Sequence, residues 1–191
     1  MYIDYDVADR IATITLNRPE AANAQNTELL DELDAAWTRA AEDREVSVIV
    51  LRANGKHFSA GHDLRAGGPV PDKITLEFII EHEAKRYLEY TLRWRNIPKP
   101  SIAAVQGRCI SGGLLLCWPC DLIIAADDAQ FSDPVVLMGI GGVEYHGHTW
   151  ELGPRKAKEI LRETSSAISE RSAKTATSRR RSSSRTAAPD S

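Results

Sequence analysis

The stretch Ser101–Asp121, SIAAVQGRCISGGLLLCWPCD, constrains the fold more than any other part of the chain. Ile102, Ala103, Ala104 and Val105 form a short apolar run between Pro100 and Gly107, the pattern of a strand buried on both faces. Gly112 and Gly113 then open onto Leu114, Leu115 and Leu116, which read as the first turn of a buried helix. A strand, a glycine turn and a helix start leave backbone N–H groups free at one point, and the helix dipole adds partial positive charge there. Such a point can hold negative charge, including charge that an oxygen acquires only during a reaction.

The remaining segments read as α/β elements in series. Residues 2–7 and 10–16 alternate apolar and polar positions about Asp9-Arg10, which predicts a hairpin ended by Arg18-Pro19-Glu20. Small residues fill 21–26. Asn26 or Thr27 then caps a helix whose Leu29, Leu30, Leu33, Ala36, Trp37 and Ala40 recur at helical spacing. Val46 to Leu51 reads as a buried strand and Asn54-Gly55 as a turn, followed by a compact loop from His57 to Leu64. Gly67, Gly68, Pro69 and Pro71 mark a flexible connection. A helix is expected over 73–95, with Ile74, Phe78, Ile79, Leu88 and Leu92 toward one side, stopped by Pro98 and Pro100. Leu122 to Ala126 reads as another buried strand and Phe131-Ser132-Asp133-Pro134 as a turn. Gly139, Gly141 and Gly142 open a loop carrying Glu144, Tyr145, His146 and His148. Pro154 suits the first position of a helix with Ala157, Ile160 and Leu161 on one side.

Composition narrows the function classes. A length of 191 residues is enough for one domain with a real core. The net charge of −3 gives no electrostatic case for nucleic acid, and no segment reads as membrane-spanning. The acidic N-terminus lacks a signal region, and three cysteines, an odd number, then point to reduced thiols and a cytoplasmic location. From residue 162 the composition changes. Residues 162–191 hold nine Ser and seven basic against three acidic residues, a net +4 that leaves −7 on residues 1–161. With Ile168 as its one large apolar side chain, this tail is expected to be disordered. Arg179-Arg180-Arg181 could bind an anion, but a solvated tail is the simpler reading.

Several motifs agree in order and spacing: strand then Ser59-Ala-Gly-His-Asp-Leu64, Pro98-Lys-Pro-Ser-Ile-Ala-Ala-Val-Gln-Gly107, Ser111-Gly-Gly and Cys120-Asp121. Together they resemble the enoyl-CoA hydratase/isomerase (crotonase) family over residues 2 to about 161. The resemblance implies an α/β fold, a spiral of ββα units, and an acyl-CoA thioester as substrate, with no cofactor beyond the coenzyme A of that substrate. It implies that two backbone N–H groups hold the thioester oxygen, and motif mapping places them at Ala60 and Gly112. It extends substrate contact to Gly61, His62, Asp63, Leu64, Gly113 and Asp133, and CoA contact to Ala22, Ala24 and Lys56. His57 and His62 flank the first donor, where they either reach the CoA pyrophosphate or are simply solvated. The family resemblance also implies a homotrimer or hexamer. The C-terminal helices that build it are missing from the expected pattern, and the break near residue 161 reads as a truncation or a change of reading frame.

The sequence departs from the family at the acid/base positions. The two glutamates that hydratases use fall on Leu115 and Val135, neither of which can move a proton. Replacements are sought in the loop after Gly142, with His146 first because an imidazole titrates near neutrality, and Glu144 second. Asp133 is read mainly as a turn residue before proline. Cys117-Trp-Pro-Cys120 superficially matches a redox pair, but its place after three leucines predicts buried, inert thiols. The reading is therefore an enoyl-CoA hydratase-like lyase or isomerase of fatty acid metabolism, working through a thioester enolate. The alternatives are a non-catalytic acyl-CoA-binding or scaffold protein and an inactive gene product.

Overall fold

The computed structural model describes residues 1–65, 75–139 and 147–162. The tail after Arg162, the 67–71 connection, and Glu144, Tyr145 and His146 lie outside the described residues. Strands β1 (Ile3–Ala8) and β2 (Ile11–Leu16) form the expected hairpin. Its turn residues Asp9 and Arg10 both have positive φ, 50° and 65°, which matches the right-handed twist of the flanking strands. Helix α1 (Thr27–Glu42) follows, with the Asn26 side chain accepting the Leu29 amide at 2.9 Å. Its buried residues are the six that the spacing selects.

Strand β3 (Val48–Ala53) begins two residues later than expected, because Val46 packs in the core before the strand starts. β2, β3, β4 (Ser101–Val105) and β6 (Leu122–Ala125) run parallel, giving a sheet of order β1-β2-β3-β4-β6. A second sheet is built from the other strand of each unit, β5 (Arg108–Ile110) with β7 (Gln130–Ser132). Isolated bridges extend it, Ser59 to Cys109 and Gln25 to His62. Each ββα unit thus contributes one segment to each layer, and helix α4 (Gly112–Cys117) starts directly from β5.

The expected helix over 73–95 is observed from Leu76 to Arg95, but in three segments: α2 (Leu76–Ile79), a π-helical stretch (Ile80–Glu89) and α3 (Tyr90–Arg95). Its buried side is Tyr87, Tyr90, Thr91 and Trp94, whereas Leu92 is exposed. Of the residues expected near one side, Ile74 lies outside the described residues and Leu88 is half-buried; the wider π turn changes which residues share a face. α1 anchors this helix. Asp31 accepts from Arg86 and from the Tyr90 hydroxyl, Asp34 accepts from Trp94 Nε1 and Arg93, and Trp37 stacks on Trp94 at 6.0 Å.

Two further expectations are corrected. β6 is not buried: Leu122 and Ile124 are each 61% exposed, because β6 is the edge of the sheet. A continuous apolar run does not distinguish a covered strand from an uncovered one. The expected turn at Phe131–Pro134 is partly strand, with β7 running into a 3-10 helix (Pro134–Met138). Helix α5 (Gly147–Arg162) breaks at Gly153, φ 72° and ψ 159°, and Pro154 opens its second limb. Among the described residues, no helix is long and apolar enough to cross a membrane, and no group of acidic, His and Cys side chains could hold a metal.

Candidate functional site

Three loops meet where the second sheet ends. Asn23 fastens two of them. Its side chain donates to the carbonyls of Asn54 and His57, both at 2.9 Å, and accepts the Arg18 amide at 2.8 Å. Ser59, fully buried, donates to the Asn23 carbonyl at 2.9 Å and accepts from Gln25 Nε2 and the Gly61 amide, each at 3.2 Å. The loop is therefore rigid before any ligand arrives.

The third loop fits against it through glycine. Gly61 has φ +87°, and a Cβ there would lie 2.7 Å from the Ile110 carbonyl oxygen and 3.2 Å from the Gly112 nitrogen. A Cβ on Gly112 would lie 2.7 Å from Gln25 Oε1 and 2.8 Å from His62 Nδ1. Only backbone without side chains can approach so closely. Ser111, which enters α4, is held at φ 47° and ψ −111°, a strained conformation for a non-glycine residue.

Following each amide identifies which are free. Ser59 N–H donates to Arg108, Ala60 N–H to the Ala22 carbonyl at 2.9 Å, Gly61 N–H to Ser59 Oγ and Asp63 N–H to Gln25. Ile110 donates to Ser59, Ser111 to Ser132 and Leu114 to Ser111. Among the described residues, the amides of His62, Gly112 and Gly113 have no acceptor. The expectation for Ala60 is thereby corrected. Its N–H is occupied by backbone pairing, because the loop continues the second sheet there, whereas the His62 amide, next to the contact between Gly61 and Gly112, has no acceptor.

The other expected site residues fall as follows. Ala22 and Ala24 belong to the Arg18–Gln25 loop, Ala22 through the carbonyl that holds Ala60. Asp63 pairs with Arg18 and accepts the Arg65 amide at 2.9 Å, so it braces the loop. Lys56 and Leu64 are exposed. His57 accepts the Arg108 amide at Nδ1, 3.2 Å. Burial, then the Lys56 and Arg108 charges, hold its imidazole below the ordinary histidine range, which disfavours a cationic contact with pyrophosphate. Gly113 packs against Ser59, whose carbonyl oxygen would be 2.9 Å from a Cβ there. Leu115 and Val135 are both buried and apolar.

Asp133 is more than a turn residue. It is fully buried, caps the 3-10 helix through the Val135 amide, and its Oδ2 lies 2.7 Å from His148 Nε2. The His148 ring meets Trp118 edge-on at 4.7 Å, at the far end of α4 from Gly112. Two contributors were not singled out from sequence, Gln25 and Glu83. Gln25 Oε1 is buried without a hydrogen-bond partner. Glu83 reaches His62 from the π-helical segment, Oε2 to Nε2 at 3.3 Å. No local pattern marks either residue, since both act through contacts made across the fold.

Two parallel-stranded layers wound from ββα units, with free amides where one layer meets a helix start, define the crotonase class of α/β protein. The chain belongs to the enoyl-CoA hydratase/isomerase family, whose model matches residues 6–176. It is 46% identical over 180 residues to a Mycobacterium tuberculosis protein named as a candidate enoyl-CoA hydratase, EchA13, covering 84% of this chain and 57% of that one. A solved structure named a probable enoyl-CoA hydratase from Mycobacterium smegmatis shares 86% identity at a TM-score of 0.80, covering 84% of this chain and 64% of that one. A solved structure named as a candidate enoyl-CoA hydratase/isomerase (crotonase) from Legionella pneumophila shares 33% identity at a TM-score of 0.78, covering 86% of this chain and 63% of that one. The chain therefore spans less than two thirds of the length of these relatives.

Proposed function

We propose that this chain processes an acyl-CoA thioester, holding the thioester carbonyl oxygen between the amides of His62 and Gly112. The observation that carries this reading is that these two N–H groups, on turns that touch through Gly61, lack acceptors while the amides of Gly61, Asp63 and Ser111 beside them are paired. An enolate formed by loss of an α-proton puts its charge on that oxygen, and donors fixed in advance stabilise it without reorganisation. Gly112 adds the dipole at the start of α4. The exposed apolar strand β6 supports the self-association that the family implies.

The test compares butyryl-CoA with its thioether analogue, S-butyl-CoA, by calorimetry. Two hydrogen bonds at about 1 kcal/mol each make the thioester about 30-fold tighter. Equal affinity for the two ligands would remove the carbonyl from the recognition and overturn the reading. A second reading, a binder without chemistry, is favoured by buried Leu115 and Val135 in place of ionisable groups. Binding of crotonyl-CoA and other acyl-CoA thioesters with no turnover of any of them would establish it.

A further inference from the structure

With leucine and valine at the usual proton-handling positions, a different group must move the α-proton if the site is catalytic. We propose that His62, oriented by Glu83, is that group; this rests on the thioester reading above. Four observations converge on it. First, the His62 ring is held on two sides, stacked on Tyr87 with centroids 3.9 Å apart and planes 15° apart, and with Nε2 3.3 Å from Glu83 Oε2. Glu83 and Tyr87 come from the same π-helical stretch, a rare geometry that recurs at functional sites.

Second, a carboxylate can only accept, so the proton shared with Glu83 sits on Nε2, and the uncharged tautomer that makes this contact carries its lone pair at Nδ1. Third, Nδ1 is the ring nitrogen set against Gly112, 2.8 Å from where a Cβ on that residue would stand. Fourth, Gln25 Oε1 faces the same point at 2.7 Å. That oxygen is buried and unpartnered, while its Nε2 is tied to Ser59, which orients the amide. A buried acceptor left open is costly in a fold without a ligand, and here it lies against the Gly112 turn beside the His62 ring. In the other histidine–carboxylate pair, Asp133–His148, the imidazole meets the Trp118 ring, at the C-terminal end of α4.

The step balances without a further reagent. Nδ1 takes a proton from the α-carbon. The C–H pair becomes the carbon–carbon π bond of the enolate, and the carbonyl π pair moves onto the oxygen held by the His62 and Gly112 amides. The imidazolium returns the proton to the α-carbon or, when the chain is β,γ-unsaturated, to the γ-carbon, which moves the double bond into conjugation with the thioester. His62 is then the catalytic residue and Glu83 a positioning residue.

The experiment follows deuterium entry at the α-carbon of butyryl-CoA in D2O by mass spectrometry, with binding of butyryl-CoA measured alongside by calorimetry. Wild type is expected to bind and exchange. His62→Gln is expected to bind but lose at least about 100-fold in exchange rate. Glu83→Gln is expected to lose roughly tenfold or more at saturating butyryl-CoA with its affinity unchanged, a rate effect that a merely structural role would not produce. Wild-type binding without exchange, or exchange that survives both substitutions, overturns the His62 assignment and leaves the thioester reading standing. Absence of wild-type binding overturns both. If His62→Gln fails to fold by circular dichroism, Glu83→Gln decides, and an unchanged rate there overturns the proposal.

Discussion

The contact between the Gly61 turn and the Gly112 turn can be tested by adding one methyl group. Gly61→Ala faces two penalties. The residue sits at φ +87°, a region that costs an L side chain about 1–2 kcal/mol. Its Cβ would also lie 2.7 Å from the Ile110 carbonyl oxygen, 3.2 Å from the Gly112 nitrogen and 3.4 Å from Ser111 Cβ. The first two are backbone atoms that cannot rotate away, so overpacking adds about 1–3 kcal/mol. Gly139→Ala is the matched control. Gly139 has φ +75° but nothing within 4 Å among the described residues, so only the backbone penalty applies. Both substitutions reduce unfolded-chain entropy alike, so that contribution cancels in the difference. The expected gap in stability between the two variants is about 1–3 kcal/mol, or roughly 2–12 °C in Tm for a chain of this size. Urea denaturation followed by circular dichroism measures it, with butyryl-CoA affinity measured on the same preparations. Gly61→Ala should also weaken binding by separating the two turns, and Gly139→Ala should not. Equal urea midpoints for the two variants would refute the claimed backbone contact.

Two other outcomes follow from the packing. Burial, then the hydrogen bond to Asp31 and the Asp31 and Asp34 charges, push the Tyr90 hydroxyl up to about 12 from its ordinary 10.0. The folded chain therefore holds this proton more tightly than the unfolded chain. The resulting stability is complete below about pH 10 and is lost as pH rises toward 12; Tyr90→Phe should flatten that limb of a urea-stability series, and an identical limb in both proteins would count against the assignment. Cys109, Cys117 and Cys120 are all buried; the hydrogen bond with Cys109, then burial, pushes the Cys117 thiol up, and burial, then the neighbouring Cys117, pushes Cys120 up. All three should resist Ellman's reagent in the native state and react in urea, whereas fast native labelling would mean the helix α4 core is open.

Much of the fold was legible because its signals are local. Asn26, the six apolar positions of α1, the Asp9-Arg10 hairpin and the Ser101–Val105 strand each follow from period, cap or turn chemistry over a few residues. The edge position of β6 was not legible, because Leu122, Ile123 and Ile124 look alike whether or not something covers them. The π-helical stretch Ile80–Glu89 was not legible for a different reason, since a π turn leaves no simple mark in apolar spacing. At the site, Gly112 was found from its glycine turn before three leucines. Ala60 was read as a donor from the motif and its small side chain, yet its hydrogen bond to Ala22 is made with a loop distant in sequence.

What the sequence by itself determined is the family, the ββα order and the apolar character of Leu115 and Val135, all properties of residue identity and spacing. The tertiary structure decided which amide is free, which histidine faces it and which carboxylate orients that histidine. Those depend on groups tens of residues apart, Ala22 with Ala60, His62 with Glu83, and Gln25 with Gly112. A hydrogen bond between distant segments is a matter of distance and direction, and neither exists until the chain has folded.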